Sequence, residues 1–406
     1  MQAEIISIGT ELLLGEIIDT NAAWIARQLT TIGLNLYYKA TVGDNQGRIA
    51  DILRNSLRRS EVIITTGGLG PTVDDVTREA VAEATGRDLV LDEDLVAEIA
   101  AFFTRLGRTM TDNNRKQACL PRGARVIHNP VGTAPSFAVE QEARVIICLP
   151  GVPHEMQYLM EHEVLPYLRA HYALTGVIKS RSVHTCGIGE SAIDAQIGDL
   201  MRLTNPTVGT AAHPGQTDIR VAAKAASDAE AEALIAPVVD ELRARLGEYI
   251  YGVDGETLAS VVCSRLAERG LTLALADGVT GGELSLTLSQ GAAGLKAVAG
   301  SAVATGLAAL QKALGLPSAG SPSAEAAAVA AEAVRRLYHA DLGLALVGPD
   351  DPTDAQGGMI YFSLAHAGGV AQAEPRVPRS GPSGRGWMLH GALDVVRRYL
   401  LGLPIK

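Results

Sequence analysis

Residues 62–77 read VIITTGGLGPTVDDVT, and the fold is decided there. Val62, Ile63, Ile64 and Thr65 are apolar or β-branched and make a short buried strand. Gly67, Gly68, Gly70 and Pro71 then force an abrupt turn, and the spacing predicts a helix that opens at 74–78. Strand, glycine loop and helix start together make an anion site. Glycines without a Cβ let backbone N–H groups approach a phosphate, and a helix N-terminus adds partial positive charge. The adjacent carboxylates of Asp74 and Asp75 either hold a divalent cation against the same phosphate or simply cap the helix.

Upstream of this stretch, residues 4–8 read as a strand, and helical spacing takes over after Asn21. Asp19, Thr20 and Asn21 are all good capping residues, and Ala22, Ile25, Ala26 and Leu29 fall on one helical face. A strand at 34–42 and a helix at 45–60 lead into the glycine-loop strand. Downstream, NRKQA at 114–118 supplies Arg115 and Lys116, either as phosphate partners or as charges on a solvated helix. Strands follow at 125–127, 136–139 and 145–149. LPGVPHEM at 149–156 then places a second glycine turn, at Gly151, before a helix start carrying His154 and Glu155. His154 reads as a metal ligand, a proton carrier or a structural residue. Alternation at this spacing predicts a three-layer α/β domain with a mostly parallel sheet covered on both faces. Ligands of such sheets bind beyond the carboxyl ends of the strands, so the loops at 9–21 and 67–77 should converge on one pocket.

The chain has 406 residues, enough for two or three domains, and is 47% hydrophobic and 20% charged. A formal net charge of −10 argues against nonspecific nucleic-acid binding, which needs clustered Lys and Arg to displace counterions. A small anionic ligand must therefore be held by local groups. No signal segment precedes the first strand and no apolar run reaches the length of a membrane span, so the expectation is a cytoplasmic protein with no membrane partner. Cys119, Cys148, Cys186 and Cys263 form no CxxC pair, which points to reduced, mostly buried thiols rather than a zinc site or disulfides.

A smaller unit spans 177–252: a strand at 180–185, the turn GIGE at 187–190, two strands separated by HPGQ, and a helix at 228–246. Gly187 and Gly189 either present N–H groups to an anion or make a tight strand-to-helix turn. The last unit, 253–406, opens with a helix at 257–269 and a strand at 272–276, followed by DGVTGGELSLTLSQ. Further on, TGLAALQKALG begins at Thr305, a helical pattern covers 324–338, and 371–386 is rich in Pro, Gly, Ser and Arg and reads as a mobile loop.

Taken together, GTELLLGEIIDTN, GGLGPTVDDVTREA, NRKQA, NPVGTAPSF and LPGVPHEM resemble the N-terminal half of the CinA family, whose fold is similar to the molybdopterin-binding domain of molybdenum cofactor proteins. The resemblance implies a molybdopterin-binding-like domain at 1–173, a small KH-type α+β connector at 177–252 and an α/β CinA C-terminal domain at 253–406. It implies ADP-ribose pyrophosphatase activity in the first domain, dependent on a divalent metal (Mg, Mn, Co or Ni) and helped by potassium, with a dinucleotide or nucleotide-sugar substrate. Carried over by position, Gly68, Gly70, Thr72, Asp74 and Asp75 form the phosphate and metal site, with Thr10, Glu11 and Asn21 as the opposite wall. Asn114, Arg115, Lys116 and Gly151 join the substrate-binding set. The connector is expected to serve as a linker or dimer element of a homodimer, because GIGE lacks the basic residues of an RNA-clamping loop.

In family members with nicotinamide mononucleotide deamidase activity, the segment matching 276–282 resembles AESCTGG, with its serine as nucleophile. Here that position is Gly278, which has no side chain to attack with. The positions matching the family's tyrosine and lysine are Thr305 and Leu310, and Lys312 lies about 200° round a helix from Leu310. The TGIAGP-like loop survives only as LVGPDDP at 346–352, and the late GDRxxIR pattern keeps Arg385 but has Leu389 at the second arginine. The resemblance thus implies a hydrolase acting on a diphosphate bond with an inert deamidase-like domain. Two other readings stand beside it: a module that binds a nucleotide or pterin phosphate without turnover, and a scaffold in competence and recombination.

Overall fold

The computed structural model describes residues 1–318, 320–349, 359–375 and 382–405. Contacts divide the chain into two units, 1–179 with 223–233 and 180–222 with 234–406.

The first unit is built on a six-stranded sheet in the order Asn35–Val42, Gln2–Ile8, Val62–Thr66, Arg144–Leu149, Ser136–Gln141, Arg125–Ile127. The first four strands run parallel, and Ser136–Gln141 is antiparallel to both of its neighbours, Arg144–Leu149 and Arg125–Ile127. Successive side chains of a strand point to opposite faces, so each strand feeds two apolar layers. Ile5, Ile64 and Ile147 pack with Ile25, Leu29 and Leu159 on one face. Ile6, Ile63 and Ile146 pack with Ile49, Leu53 and Val81 on the other. The helix Thr20–Thr30 is capped by Asp19, which accepts from Ala22 N at 2.9 Å, and Gln46–Ser56 is capped by Asn45.

The helix after the glycine loop begins later than its sequence predicts, at Thr77–Thr85, and no side chain caps it. The reason is local. Asp75 Oδ2 accepts from Thr72 N at 2.9 Å and from the Thr72 hydroxyl, so 72–75 close a turn of their own and the two aspartates precede the helix. NRKQA also departs from a solvated helix, falling in the tight 3₁₀ helix Asp112–Ala118 with Asn114 buried.

In the second unit, a four-stranded sheet is ordered Thr207–His213, Gln216–Ala225, Val177–Cys186, Ile250–Val253. The GIGE turn proves to be a packing joint: a Cβ on Gly187 would lie 3.2 Å from Asp394 Oδ2, and Glu190 accepts from the Thr210 hydroxyl at 2.9 Å. A five-stranded sheet follows in the order Val298–Val303, Leu273–Asp277, Leu342–Val347, Tyr361–His366, Gly369–Gln372, the first three strands parallel. The segment 371–386 is not one loop. It holds the end of the strand Gly369–Gln372 and the start of the helix Pro382–Leu401, while 376–381 lie outside the described residues. Asp350, Asp351 and Pro352 of the LVGPDDP segment also lie outside them. Cys119, Cys148, Cys186 and Cys263 are free thiols, all but Cys119 buried. Among the described residues no helix is long and apolar enough to cross a membrane.

Candidate active site in the N-terminal unit

Four parallel strands end at one cleft of about 420 Å³. Gln2–Ile8 delivers Gly9 and Glu11, Asn35–Val42 delivers Asp44, Val62–Thr66 delivers the loop 67–75, and Arg144–Leu149 delivers Gly151 and Glu155. The loops predicted to converge do so because side-by-side parallel strands finish on the same edge of the sheet.

The glycine loop is held from behind. Thr77 donates through its hydroxyl to Gly67 O at 2.9 Å and through its N–H to Gly68 O at 3.2 Å, and Arg78 Nη2 donates to Leu69 O at 2.8 Å. The carbonyls of Gly67, Gly68 and Leu69 are thereby fixed, and the loop that carries them lines the cavity. Gly68 has φ +65°, and a Cβ there would sit 2.2 Å from the Thr77 hydroxyl oxygen, so the turn excludes any other residue type without rearrangement. Lys116 Nζ braces the far side, donating to Asp75 O at 2.6 Å and Thr72 O at 3.2 Å.

The cleft is electrostatically one-sided. Glu11, Asp44, Asp74, Asp75 and Glu155 line it, with no Lys or Arg among its described lining residues. Arg78 lies fully buried behind the loop, and burial lowers its pKa to about 10, so it keeps its charge at neutral pH. Burial also pushes the Glu155 carboxyl above the usual carboxylate range, against the opposing hydrogen bond from Asn129 Nδ2 at 2.6 Å. Among the described residues no group of three or more His, Cys, Asp and Glu is arranged to hold a metal ion by itself.

Of the residues singled out in the sequence, Glu11, Gly68, Gly70, Asp74, Asp75 and Gly151 share this cleft. Asn21 lines a smaller adjoining cavity and donates to Gly151 O at 2.8 Å. The Thr10 N–H and hydroxyl donate to Asp44 Oδ2 at 2.8 and 2.9 Å, so Thr10 positions Asp44. Thr72 braces Asp75. Asn114 Nδ2 donates to the Thr111 hydroxyl at 2.6 Å, and Arg115 pairs with Glu93 at 3.1 Å, so both are occupied outside the cleft. His154 is exposed, and it is Glu155 that faces inward. Asp44, Gln117 and Glu155 were missed by sequence reasoning. The one available signal was position, since Asp44 and Glu155 each follow a strand end.

The second unit carries the deamidase-like positions. Gly278 is buried, and a Cβ on it would lie 3.2 Å from Leu346 O and 3.3 Å from Leu310 Cδ2. Leu310 is fully buried in an apolar layer, while Thr305 and Lys312 are exposed. Asp277, also fully buried, accepts from Val279 N at 3.0 Å, Thr280 N at 2.7 Å, Gly282 N at 2.9 Å and the Thr280 hydroxyl.

These two sites belong to regions that match known families. The model of the probable molybdopterin binding domain matches residues 4–170, that of the damage-inducible protein CinA KH domain matches 180–252, and that of the CinA C-terminal domain matches 255–400. A CinA-like protein of Dictyoglomus turgidum is 39% identical over 99% of this chain and 100% of its own length. Its counterpart in Dictyoglomus thermophilum is 38% identical over the same shares of both chains. A crystal structure of the protein CinA from Thermoplasma acidophilum covers 41% of this chain and 96% of its own, at 37% identity and a TM-score of 0.38. With full-length relatives at this identity and all three domain models in order, the chain belongs to the CinA family.

Proposed function

We propose that the N-terminal unit hydrolyses the diphosphate bond of ADP-ribose, or a related nucleoside diphosphate sugar, to AMP and ribose 5-phosphate in a reaction that requires a divalent cation. One observation carries the reading: a glycine loop of the kind that suits phosphate shares a cleft with five carboxylates, Glu11, Asp44, Asp74, Asp75 and Glu155. A diphosphate brought among those charges is repelled unless a cation accompanies it. The residues present fit such an ion. A hard cation of the Mg²⁺ type keeps several waters and is bound by one or two carboxylates together with substrate phosphate, so a preformed three-ligand cage is not required.

Asp74 and Asp75, with Glu11 across the cleft, are the residues that would hold the ion. When bound, a divalent cation supplies positive charge to the diphosphate oxygens and acidity to an attacking water. The chain's own groups do the rest. The N–H groups of Gly68, Leu69 and Gly70 hold phosphate oxygens as charge develops on them, and Lys116 keeps the loop in shape by its two carbonyl contacts. Glu155, whose carboxyl burial shifts upward against the hydrogen bond from Asn129, lines the same cleft.

The C-terminal domain is read as inert toward nicotinamide mononucleotide. Amide hydrolysis needs a nucleophile, a base and oxyanion donors acting as a unit, and Gly278, Leu310 and Thr305 supply none of the first two. The test is incubation of the full chain with ADP-ribose and Mg²⁺, Mn²⁺, Co²⁺ or Ni²⁺ in turn, with chromatography of the products. AMP and ribose 5-phosphate in equal amounts support the reading. Saturable binding of ADP-ribose with no turnover under any of the ions would replace it by a nucleotide- or pterin-phosphate-binding module.

A further inference from the structure

We infer that Arg78 sets the charge balance of the glycine-loop cleft from behind its wall. Its guanidinium favours the phosphate end of a ligand and disfavours a bare divalent cation, so the cleft takes the two together, as a metal–diphosphate complex. The inference rests on the diphosphate reading of the cleft and names the form in which the substrate arrives.

Arg78 is the second residue of the helix Thr77–Thr85 and is fully buried. Its Nη2 donates to Leu69 O at 2.8 Å, and Leu69 itself lines the cleft, so the guanidinium lies directly behind the cavity wall. Its Nε and Nη1 have no hydrogen-bond partner. A buried guanidinium is ordinarily matched to a carboxylate, because an uncompensated buried charge destabilises a fold. Here the two nearest candidates are committed elsewhere. Glu79, the next residue, pairs with Lys116 at 3.3 Å, and Asp75 gives its Oδ2 to the N–H and hydroxyl of Thr72. Both act on Arg78 through their charge alone, with no hydrogen bond to it.

Coulombic action is mutual, so the field of Arg78 reaches the cleft at Asp75. Salt screens a buried charge less than it screens exposed ones. Burial brings the Arg78 pKa only to about 10, so the charge persists at neutral pH.

In front of the wall stand Glu11, Asp44, Asp74, Asp75 and Glu155, with no Lys or Arg among the described lining residues. An anion arriving alone meets those carboxylates. A cation arriving alone meets the field of Arg78, and among the described residues no three His, Cys, Asp or Glu are arranged to hold it. A metal–diphosphate complex gives each charge its opposite: the cation faces the carboxylates, and the phosphate oxygens face the glycine loop with Arg78 behind it.

The test is calorimetric binding of Mn²⁺ alone, inorganic pyrophosphate alone and the preformed Mn²⁺–pyrophosphate complex to the full chain, to Arg78→Gln and to Arg78→Lys. The wild-type chain should bind the complex at least about tenfold more tightly than either component. Arg78→Gln keeps a donor for Leu69 O and removes the charge. It should weaken the complex about 5- to 20-fold and bind Mn²⁺ alone about 5- to 20-fold more tightly, while Arg78→Lys, which keeps a cation at the position, should restore both. The opposite signs mark a charge, since a loosened loop weakens every ligand. Equal weakening of Mn²⁺ and the complex in Arg78→Gln makes Arg78 a support of the loop and overturns the inference, as do unchanged affinities. Mn²⁺ held by the wild-type chain as tightly as the complex overturns it without any variant, and leaves the phosphate site standing. Failure of the wild-type chain to bind the complex overturns the diphosphate reading, and this inference with it.

Discussion

Asp75 and Asp277 each close a glycine-rich turn after a central parallel strand, yet their surroundings differ in kind. Asp75 spends one carboxylate oxygen on Thr72, in a loop whose glycines line a cleft with Glu11, Asp44, Asp74 and Glu155. Asp277 gathers the N–H groups of Val279, Thr280 and Gly282 onto itself, and a Cβ on the next residue, Gly278, would meet Leu310 and the Leu346 carbonyl. The same kind of turn therefore borders an open cleft in one unit and closes on its own carboxylate in the other. A fold survives on its apolar layers, whereas a site survives only while some polar groups are left without internal partners.

The sharpest way to break this comparison is at the N-terminal aspartates. Asp74→Asn should lower metal-dependent hydrolysis about 10²- to 10³-fold, as expected when transition-state charge loses its support. Because Asp74 is exposed and outside the helix, stability should stay within about 0.5 kcal/mol. Asp75→Asn should lose activity to a similar degree but also cost about 1 kcal/mol, since its carboxylate holds Thr72. Turnover and denaturant unfolding of both variants separate the two roles. Full activity in Asp74→Asn would remove the cation site from the account.

A smaller effect is expected from Lys116→Met. Losing the contacts to Asp75 O and Thr72 O should loosen the glycine loop and raise KM for ADP-ribose about tenfold, with a lesser change in kcat. A fall in kcat with KM unmoved would mean that Lys116 acts on the reaction rather than on the loop.

On the C-terminal side, Gly278→Ser should restore no ammonia release from nicotinamide mononucleotide and should cost about 1–3 kcal/mol, because its Cβ meets Leu346 O and Leu310 at close range. Adding Leu310→Lys puts an ammonium into a fully buried apolar layer, so the combined variant should unfold more readily rather than regain activity. Deamidation by the wild-type chain would contradict the reading of this unit as inert.

Much of this was legible in the sequence, and what was not shares one cause. The mostly parallel sheet and the glycine loop that follows its strand at 62–66 follow from periodicity, turn residues and the family resemblance. Asp44 and Glu155 were not legible, because a single carboxylate after a strand acquires meaning only when parallel pairing brings several strand ends together. The helix start was misplaced because Asp75 bonds back to Thr72 instead of capping. Arg115 read as either a phosphate partner or a charge on a solvated helix, and in the fold it pairs with Glu93, distant in sequence.

The smallest predicted effect concerns His184 in the second unit. Its ring nitrogens face acceptors at 2.7 Å on both sides, Asp218 Oδ1 and Asp254 O, an arrangement that only the doubly protonated ring satisfies. Burial opposes the charge, but these bonds outweigh it and raise the pKa above the ordinary 6.5. A raised histidine stabilises the fold fully below its unfolded value and loses that contribution as pH climbs through the folded one. Unfolding free energy should therefore fall from pH 6 upward by less than about 1 kcal/mol, given partial solvent screening. His184→Gln should flatten this slope, and an unchanged slope would assign it to other groups.

The comparison is tested most directly by giving the full chain both substrates at once. ADP-ribose and nicotinamide mononucleotide are incubated together with Mg²⁺, then again with excess chelator, and all phosphorylated products are resolved by ³¹P NMR. The account predicts AMP and ribose 5-phosphate only while the cation is present, and no nicotinic acid mononucleotide under either condition. Intact ADP-ribose beside newly formed nicotinic acid mononucleotide would reverse the assignment of the working and the inert unit.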